Sequence, residues 1–304
     1  MADGSITTAT VQLNKSELKL LQALVYQECG MYFDERRTHF LEDRLQRRLR
    51  ERQIDSFYSY YRLLISDQGR EELSRLLEDL TVNETSFFRN KAQLDLFHKY
   101  ILEDLFRQKH EAKQHSLKIW SAGCSTGQEP YTIAMLVADG LGYFTLRNPP
   151  AVAATYPKPL VPLPWKVEIR ASDINYSVLR AAESGIYSES QMASVDYSYR
   201  LRYFDKLGER YAVKKTVKEM VHFDFHNLKT EYLPQNNDVI FCRNVMMYFD
   251  EAEQKRLIDK FARCLNPGGY LFVGHAESLL NITDKFTMIY RNSGTGYQKV
   301  EAPR

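Results

Sequence analysis

Cysteine is scarce: the 304 residues hold four, Cys29, Cys124, Cys242 and Cys264, and none forms a CxxC pair. That scatter argues against a disulfide framework or a zinc knuckle, both of which need close or repeated spacing. It predicts a reduced chain with no metal. Long apolar runs are missing too, and none approaches the roughly 20 residues a membrane helix requires. The opening MADGSITTATVQLNKSEL has neither a basic leader nor an apolar core, so no signal peptide is expected. A cytoplasmic chain without membrane insertion is the resulting expectation. No excess of one charge is present, with 41 Lys and Arg against 39 Asp and Glu, so bulk charge points to no nucleic-acid partner. A length of 304 residues suits one large domain with a small one, or two medium domains.

What is present divides in two. Residues 14 to 82 carry helical periodicity only. Asn14 with Glu17 has the form of a capping box, and Leu18, Leu21 and Val25 follow at helical spacing. A second helix is predicted from Asp34 to about Arg52, with Phe40, Leu41, Leu45 and Leu49 on one face. Shorter helices are predicted near Ser56–Ile65 and Arg70–Leu80. The second helix is rich in arginine (Arg36, Arg37, Arg44, Arg47, Arg48, Arg50, Arg52). That clustering makes either a solvated face or a docking surface for an acidic partner.

From about residue 117 the rhythm becomes strand, loop, helix. LKIWSAG, VEIRASD, DVIFCRN and YLFVG read as strands, with helices from Glu129, from about Asn175 and along EAEQKRLIDKFARCL. FTMIYRN and GYQKVE read as a closing antiparallel pair. The alternation predicts an α/β fold with a doubly wound sheet. Residues 147–165 hold most of the chain's 10 prolines and predict an extended loop. Residues 197–225 predict a small inserted antiparallel β-subdomain turning at Leu207–Gly208–Glu209. The expected division is a helical domain over 1–82 and a ligand-binding domain over 83–304.

In open α/β sheets ligands bind beyond the carboxyl ends of the strands, near the point where strand order reverses. WSAGCSTGQEPYTIAML sits at the first such end, where Gly123 and Gly127 let backbone approach a ligand and Pro130 suits a helix start. Its glycines lack the G-x-G-x-x-G spacing of a pyrophosphate loop, which argues against a nicotinamide dehydrogenase. Asp173 ends the second strand and either accepts hydrogen bonds from ribose hydroxyls or caps the next helix. It lies about 45 residues past the glycines, against about 20 in the usual arrangement, with the proline-rich stretch accounting for the excess. Asn244, in CRNVMMYF, ends a central strand, as a ligand contact or a loop start. NETSFFR, at 83–89, is either a fourth contact or linker packing. His222 and His226 share a face of an alternating stretch, read as exposed strand histidines because a metal site needs a third ligand.

NETSFFR, SAGCSTGQEPY, ASDI, FHNL and FCRNVMMYF, in this order, resemble the chemotaxis receptor methyltransferases of the CheR type, over nearly the whole chain. The resemblance implies a Rossmann-like class I methyltransferase sheet with S-adenosylmethionine as cofactor and S-adenosylhomocysteine as product. It implies cofactor contacts from Asn83, Thr85, Arg89, Gly123, Glu129, Asp173, Asn227, Leu228, Asn244 and Val245. Tyr248 matches a tyrosine placed near the transferred methyl, either a positioning residue or an inert core tyrosine. The implied reaction is O-methylation of glutamate on the cytoplasmic helices of methyl-accepting chemotaxis receptors, by a monomer. Glutamate is ionised at neutral pH, with a reference pKa of about 4.3, so no general base is needed. The competing readings are a silent cofactor-binding scaffold and a methyltransferase for another acceptor such as nucleic acid. The string Asn148-Pro149-Pro150 only mimics an amino-methyltransferase motif, since Ala151 follows it and it precedes Asp173. The one clear departure from the family pattern is the longer 147–165 stretch.

Overall fold

The computed structural model describes residues 11–148 and 164–300, so most of the proline-rich stretch expected as an extended loop lies outside the described residues. The chain forms two compact units, and Tyr248–Asp250 groups with the helical one.

In the helical unit, α1 (Lys15–Cys29) begins on the expected box, with Asn14 accepting from the amides of Ser16 and Glu17 while Glu17 reaches back. Gly30, at φ 80°, closes it in the left-handed conformation that glycine adopts freely. The second helix, α2 (Thr38–Arg52), starts later than Asp34. The Asp34 side chain accepts the Arg37 amide and its carbonyl accepts the Thr38 hydroxyl, so the chain turns there first. Two more helices follow, α3 (Phe57–Leu64) and α4 (Arg70–Leu80). Leu41, Leu45, Leu49, Phe57, Tyr60, Leu76 and Leu80 are buried between them. Phe40, expected on the same face, is only half-buried, under the Arg44 guanidinium.

The second unit opens with a helical run that the sequence reading did not mark: α5 (Lys91–Leu96), a π-turn at Phe97–Ile101, and α6 (Leu102–Glu111). The wide turn places Phe97 edge-on to Phe241 and Phe272. Then come β1 (Ser116–Ala122), α7 (Gln128–Arg147), β2 (Lys166–Asp173), α8 (Tyr176–Ser184), β3 (Ile186–Ser188) and α9 (Tyr197–Tyr203). The remaining elements are β4 (Phe204–Leu207), β5 (Arg210–Val213), α10 (Lys215–Lys218), β6 (Val221–Phe225) and β7 (Asn237–Cys242). The chain finishes through α11 (Glu251–Cys264), β8 (Leu265–Val273), β9 (Phe286–Arg291) and β10 (Gly294–Lys299).

Seven strands form one sheet in the order β6-β2-β1-β7-β8-β10-β9. The first five run parallel and β10 is antiparallel to both its neighbours, as the alternation and the closing pair predict. A separate three-stranded antiparallel sheet, β3-β5-β4, is the inserted subdomain. Its extent differs from 197–225: it takes in Ile186–Ser188 and excludes Val221–Phe225, which pairs with β2 at the edge of the large sheet. Strand order reverses between β1 and β7. The chain steps outward through β2 to β6 and then returns to the far side of β1. The crevice at the reversal is where this fold places a ligand.

Candidate functional site

Four strand ends deliver the expected residues to one edge of the sheet. After β1 the chain passes Gly123 at φ 85°, and an ideal Cβ there would lie 2.4 Å from Val245 Cγ2. Only a glycine lets the loop after β1 meet the loop after β7. The amides of Gly123 and Cys124 both donate to the Ser172 carbonyl, fastening this loop to the end of β2. At that end, Asp173 Oδ2 accepts the Ser125 amide at 2.9 Å and Oδ1 accepts the Asn175 amide at 3.0 Å. The helix-capping role open to Asp173 belongs to Asn175, which takes the amides of Ser177 and Val178. Asp173 is buried, and its desolvation pushes the carboxyl above its ordinary value against the pull of these amides.

Glu129, in the first turn of α7, accepts the Ser121 hydroxyl at 2.7 Å and lies 3.4 Å from the Arg243 guanidinium. Burial raises the Glu129 carboxyl and lowers Arg243, because each charge is poorly solvated there. Arg243 also donates Nη2 to the Arg89 carbonyl, but its buried Nε has no hydrogen-bond partner among the described residues. Beyond β6, Asn227 Oδ1 accepts the Lys229 amide, and Leu228 is half-buried beside it. Asn244, beyond β7, holds φ 60°.

The 83–89 segment joins the same edge. The Ser125 hydroxyl donates to the Asn83 carbonyl at 2.9 Å, and the Phe88 amide donates to Thr132 Oγ1. Phe87 is fully buried, edge-on to Tyr187 and Phe204 of the small sheet. Thr85 and Arg89 are half-buried, with Arg89 Nη1 donating to the Glu84 carbonyl. Phe88, Ser125 and Asn244 all adopt left-handed backbone conformations. Such conformations cost roughly 1–3 kcal/mol each and gather where surrounding structure enforces a shape for function. Tyr248 falls in the helical unit, with its hydroxyl donating to the Val82 carbonyl at 3.3 Å and the Arg37 guanidinium 5.1 Å over its ring.

Three residues went unmarked in the sequence. Ser125 ties Asp173 to Asn83, and Arg243 neighbours Glu129. Lys260, 2% exposed, donates Nζ to the carbonyls of Lys229 and Thr230 at 2.9 Å each, bracing the loop that carries Asn227 and Leu228. A lysine inside an otherwise apolar helix face was the available signal. His226 also departs from its reading: it is half-buried against Trp120, its Nε2 lacks a partner among the described residues, and burial lowers its pKa. Among the described residues no group of three or more His, Cys, Asp or Glu is placed to hold a metal ion.

A crevice at the strand-order reversal, with a buried carboxylate at the end of β2 and no G-x-G-x-x-G loop, fits the class of α/β folds that bind nucleoside-containing ligands at their strand ends. Residues 83–294 match the CheR methyltransferase SAM binding domain, and residues 16–81 match the CheR methyltransferase all-alpha domain. The chemotaxis protein methyltransferase of Borreliella burgdorferi is 33% identical over 272 residues, covering 88% of this chain and 90% of the relative. The Escherichia coli chemotaxis protein methyltransferase is 33% identical over 287 residues, covering 92% of this chain and 91% of its own length. The chain therefore belongs to the CheR methyltransferase family, and its cofactor is S-adenosylmethionine.

Proposed function

We propose that this chain methylates glutamate side chains on the cytoplasmic helices of chemotaxis receptors, yielding glutamate methyl ester and S-adenosylhomocysteine. The observation that carries the proposal is the convergence of Asp173, Glu129, Arg243 and Asn244 on one edge of the sheet, joined there by the 83–89 segment. These residues fit the cofactor. Asp173 takes the amides of Ser125 and Asn175, one on each oxygen, and the Ile174 amide also pulls on it; an ionised carboxylate offers about four lone-pair sites, so it can still accept a ribose hydroxyl. The unpaired Arg243 Nε suits a carboxylate, which the amino-acid end of the cofactor carries. Two carboxylates on this edge favour a sulfonium cation over a pyrophosphate. Asn83, Thr85, Arg89, Gly123, Asn227, Leu228 and Val245 complete the contact set on this reading.

When bound, S-adenosylmethionine supplies the electrophilic methyl group. The protein supplies orientation and the exclusion of water, which need no proton transfer to an already ionised glutamate. Burial pushes the Cys124 and Cys242 thiols well above their ordinary values, which favours the protonated thiol over the nucleophilic thiolate. Tyr248 orients the acceptor carboxylate. The chain acts as a cytoplasmic monomer without a nucleic-acid partner, and none of its described helices is long and apolar enough to cross a membrane. Of the arginines on or just before α2, Arg47 and Arg48 are engaged internally with Asp79 and Glu72. Arg52 also lies 3.4 Å from the buried Glu72, so receptor docking falls to the exposed Arg36 and Arg50. The test is transfer of labelled methyl from S-adenosylmethionine to a receptor cytoplasmic fragment, followed by mild base. Base-labile label is the expected result; absence of transfer across several receptors, with cofactor binding intact, overturns the proposal.

A further inference from the structure

Beyond β8 the chain turns through Gly274 to Glu277, a residue with no part in the contact set above. Its carboxylate gathers three backbone amides. Oε2 accepts Gly274 N at 2.6 Å and Asn244 N at 3.1 Å, and Oε1 accepts Met247 N at 3.1 Å. The Glu277 amide in turn donates to the Gly274 carbonyl at 2.9 Å, which closes the turn. Two of the three bonds grip the loop after β7 on either side of Val245. That loop holds Asn244 at φ 60°, so its amide is turned away from any strand ladder and needs an acceptor from elsewhere.

Only a carboxylate satisfies this arrangement. It is acceptor-only, whereas a glutamine amide would present one acceptor and an NH2 group facing further N–H donors. Gly274 is part of the same fit. An ideal Cβ there would stand 2.8 Å from Glu277 Oε2 and 2.9 Å from Asn244 N, inside the distance real side chains reach. Charge-assisted bonds to backbone amides are roughly twice as strong as neutral ones, so the clamp can hold a left-handed asparagine that would otherwise relax.

We infer that Glu277 is a positioning residue of the cofactor crevice, setting the loop conformation in which Asn244 and Val245 meet S-adenosylmethionine. The inference rests on the assignment of those two residues to the cofactor. Glu277 touches no reacting atom; it acts through the loop.

The experiment uses the full chain and two readouts that do not depend on turnover: calorimetric affinity for S-adenosylhomocysteine, and amide hydrogen exchange at Asn244 and Met247. Glu277→Gln is expected to speed exchange at both amides and to weaken binding on the order of tenfold, as loss of a charged hydrogen bond does. Gly274→Ala keeps the carboxylate but displaces it, and is expected to reproduce both effects if Glu277→Gln folds poorly. Asn244→Ala, measured in parallel, is expected to weaken binding by a similar factor, and adding Glu277→Gln to it should cost little more. Faster exchange with unchanged affinity in Glu277→Gln and Gly274→Ala, while Asn244→Ala binds weakly, overturns the positioning role and leaves a structural clamp. Unchanged affinity in Asn244→Ala overturns the cofactor assignment itself, and the inference with it.

Discussion

Each unit buries an arginine against a glutamate, and the two pairs are built to opposite standards. In the helical unit, Arg48 gives Nε and Nη2 to the two oxygens of Glu72 at 2.9 and 2.7 Å, and Tyr60 adds its hydroxyl at 2.8 Å. The Glu72 hydrogen bond holds the Arg48 guanidinium further above its ordinary value, and burial beside the same carboxylate raises the Tyr60 hydroxyl. In the sheet unit, Arg243 stands 3.4 Å from Glu129, leaves Nε unsatisfied, and has its pKa lowered by burial. A saturated pair makes a unique helical packing, whereas an unsaturated one carries an electrostatic cost that a charged ligand can relieve. On the proposed reading of the crevice, the first pair serves stability and the second binding.

The comparison breaks most visibly at Glu72. Glu72→Ala removes the bidentate partner of Arg48, whose Nη1 keeps Glu51 and stands 3.7 Å from Asp79, so the loss should fall toward the low end of the about 3–5 kcal/mol that breaking a buried pair costs. A denaturant titration followed by circular dichroism should show that loss, with S-adenosylhomocysteine affinity unchanged in the variant that remains folded. A stable variant with weakened cofactor binding would reverse the assignment of roles. Asp173→Ala should do the opposite. It removes acceptors for ribose hydroxyls, worth about 1.5–3 kcal/mol for hydrogen bonds to a charged group, so affinity should fall roughly 10- to 100-fold by calorimetry. A change within twofold would place the ribose elsewhere.

A smaller effect follows from the direction of the Asp173 and Glu129 shifts. Burial raises both carboxyls above their ordinary values of 3.8 and 4.5. A raised acid binds protons more readily in the folded chain, so its stabilising contribution is complete below the ordinary value and is lost as pH rises through the raised one. In the cofactor-free protein the thermal midpoint of the parent relative to Asp173→Asn should therefore decline as pH climbs from below 3.8 toward neutrality. A difference that grows with pH would mean that the amides of Ser125 and Asn175 outweigh desolvation.

The sheet unit was largely legible because its parallel strands are apolar runs punctuated by glycine, aspartate and asparagine at the ends that matter. Gly123, Asp173 and Asn244 could be placed from that punctuation. VHFDF was misplaced because an edge strand packs incompletely and alternates apolar with polar residues, as a strand of the inserted subdomain would. The roles of Arg243 and Glu277 were not visible, since each acts through a carbonyl or amide distant in sequence, and Lys260 was marked only by its place on an apolar helix face. Glu277 is 33 positions from Asn244, and nothing in local spacing announces the contact. Arg48 illustrates the same limit in the helical unit: its place in an arginine run suggested surface, while the leucines beside it draw it into the core.

That last point sharpens the receptor-docking proposal, which carries the smallest effect. Arg36 and Arg50 are exposed, and Arg36 makes only a 3.5 Å contact with Asp34, so reversing both charges should leave the helical core intact. Exposed pairs contribute about 0.2–1 kcal/mol, so the KM for a receptor fragment should rise roughly 1.4- to fivefold per charge. The rise should shrink with added salt, because such contacts are screened, while cofactor affinity stays fixed. Reversal at Arg48 is the wrong test of docking, since it sets two acids together in the core and lowers stability whatever the receptor does. An unchanged KM for the Arg36 and Arg50 reversal, at low salt, would make this helix face a solvated surface and move receptor recognition to another part of the chain.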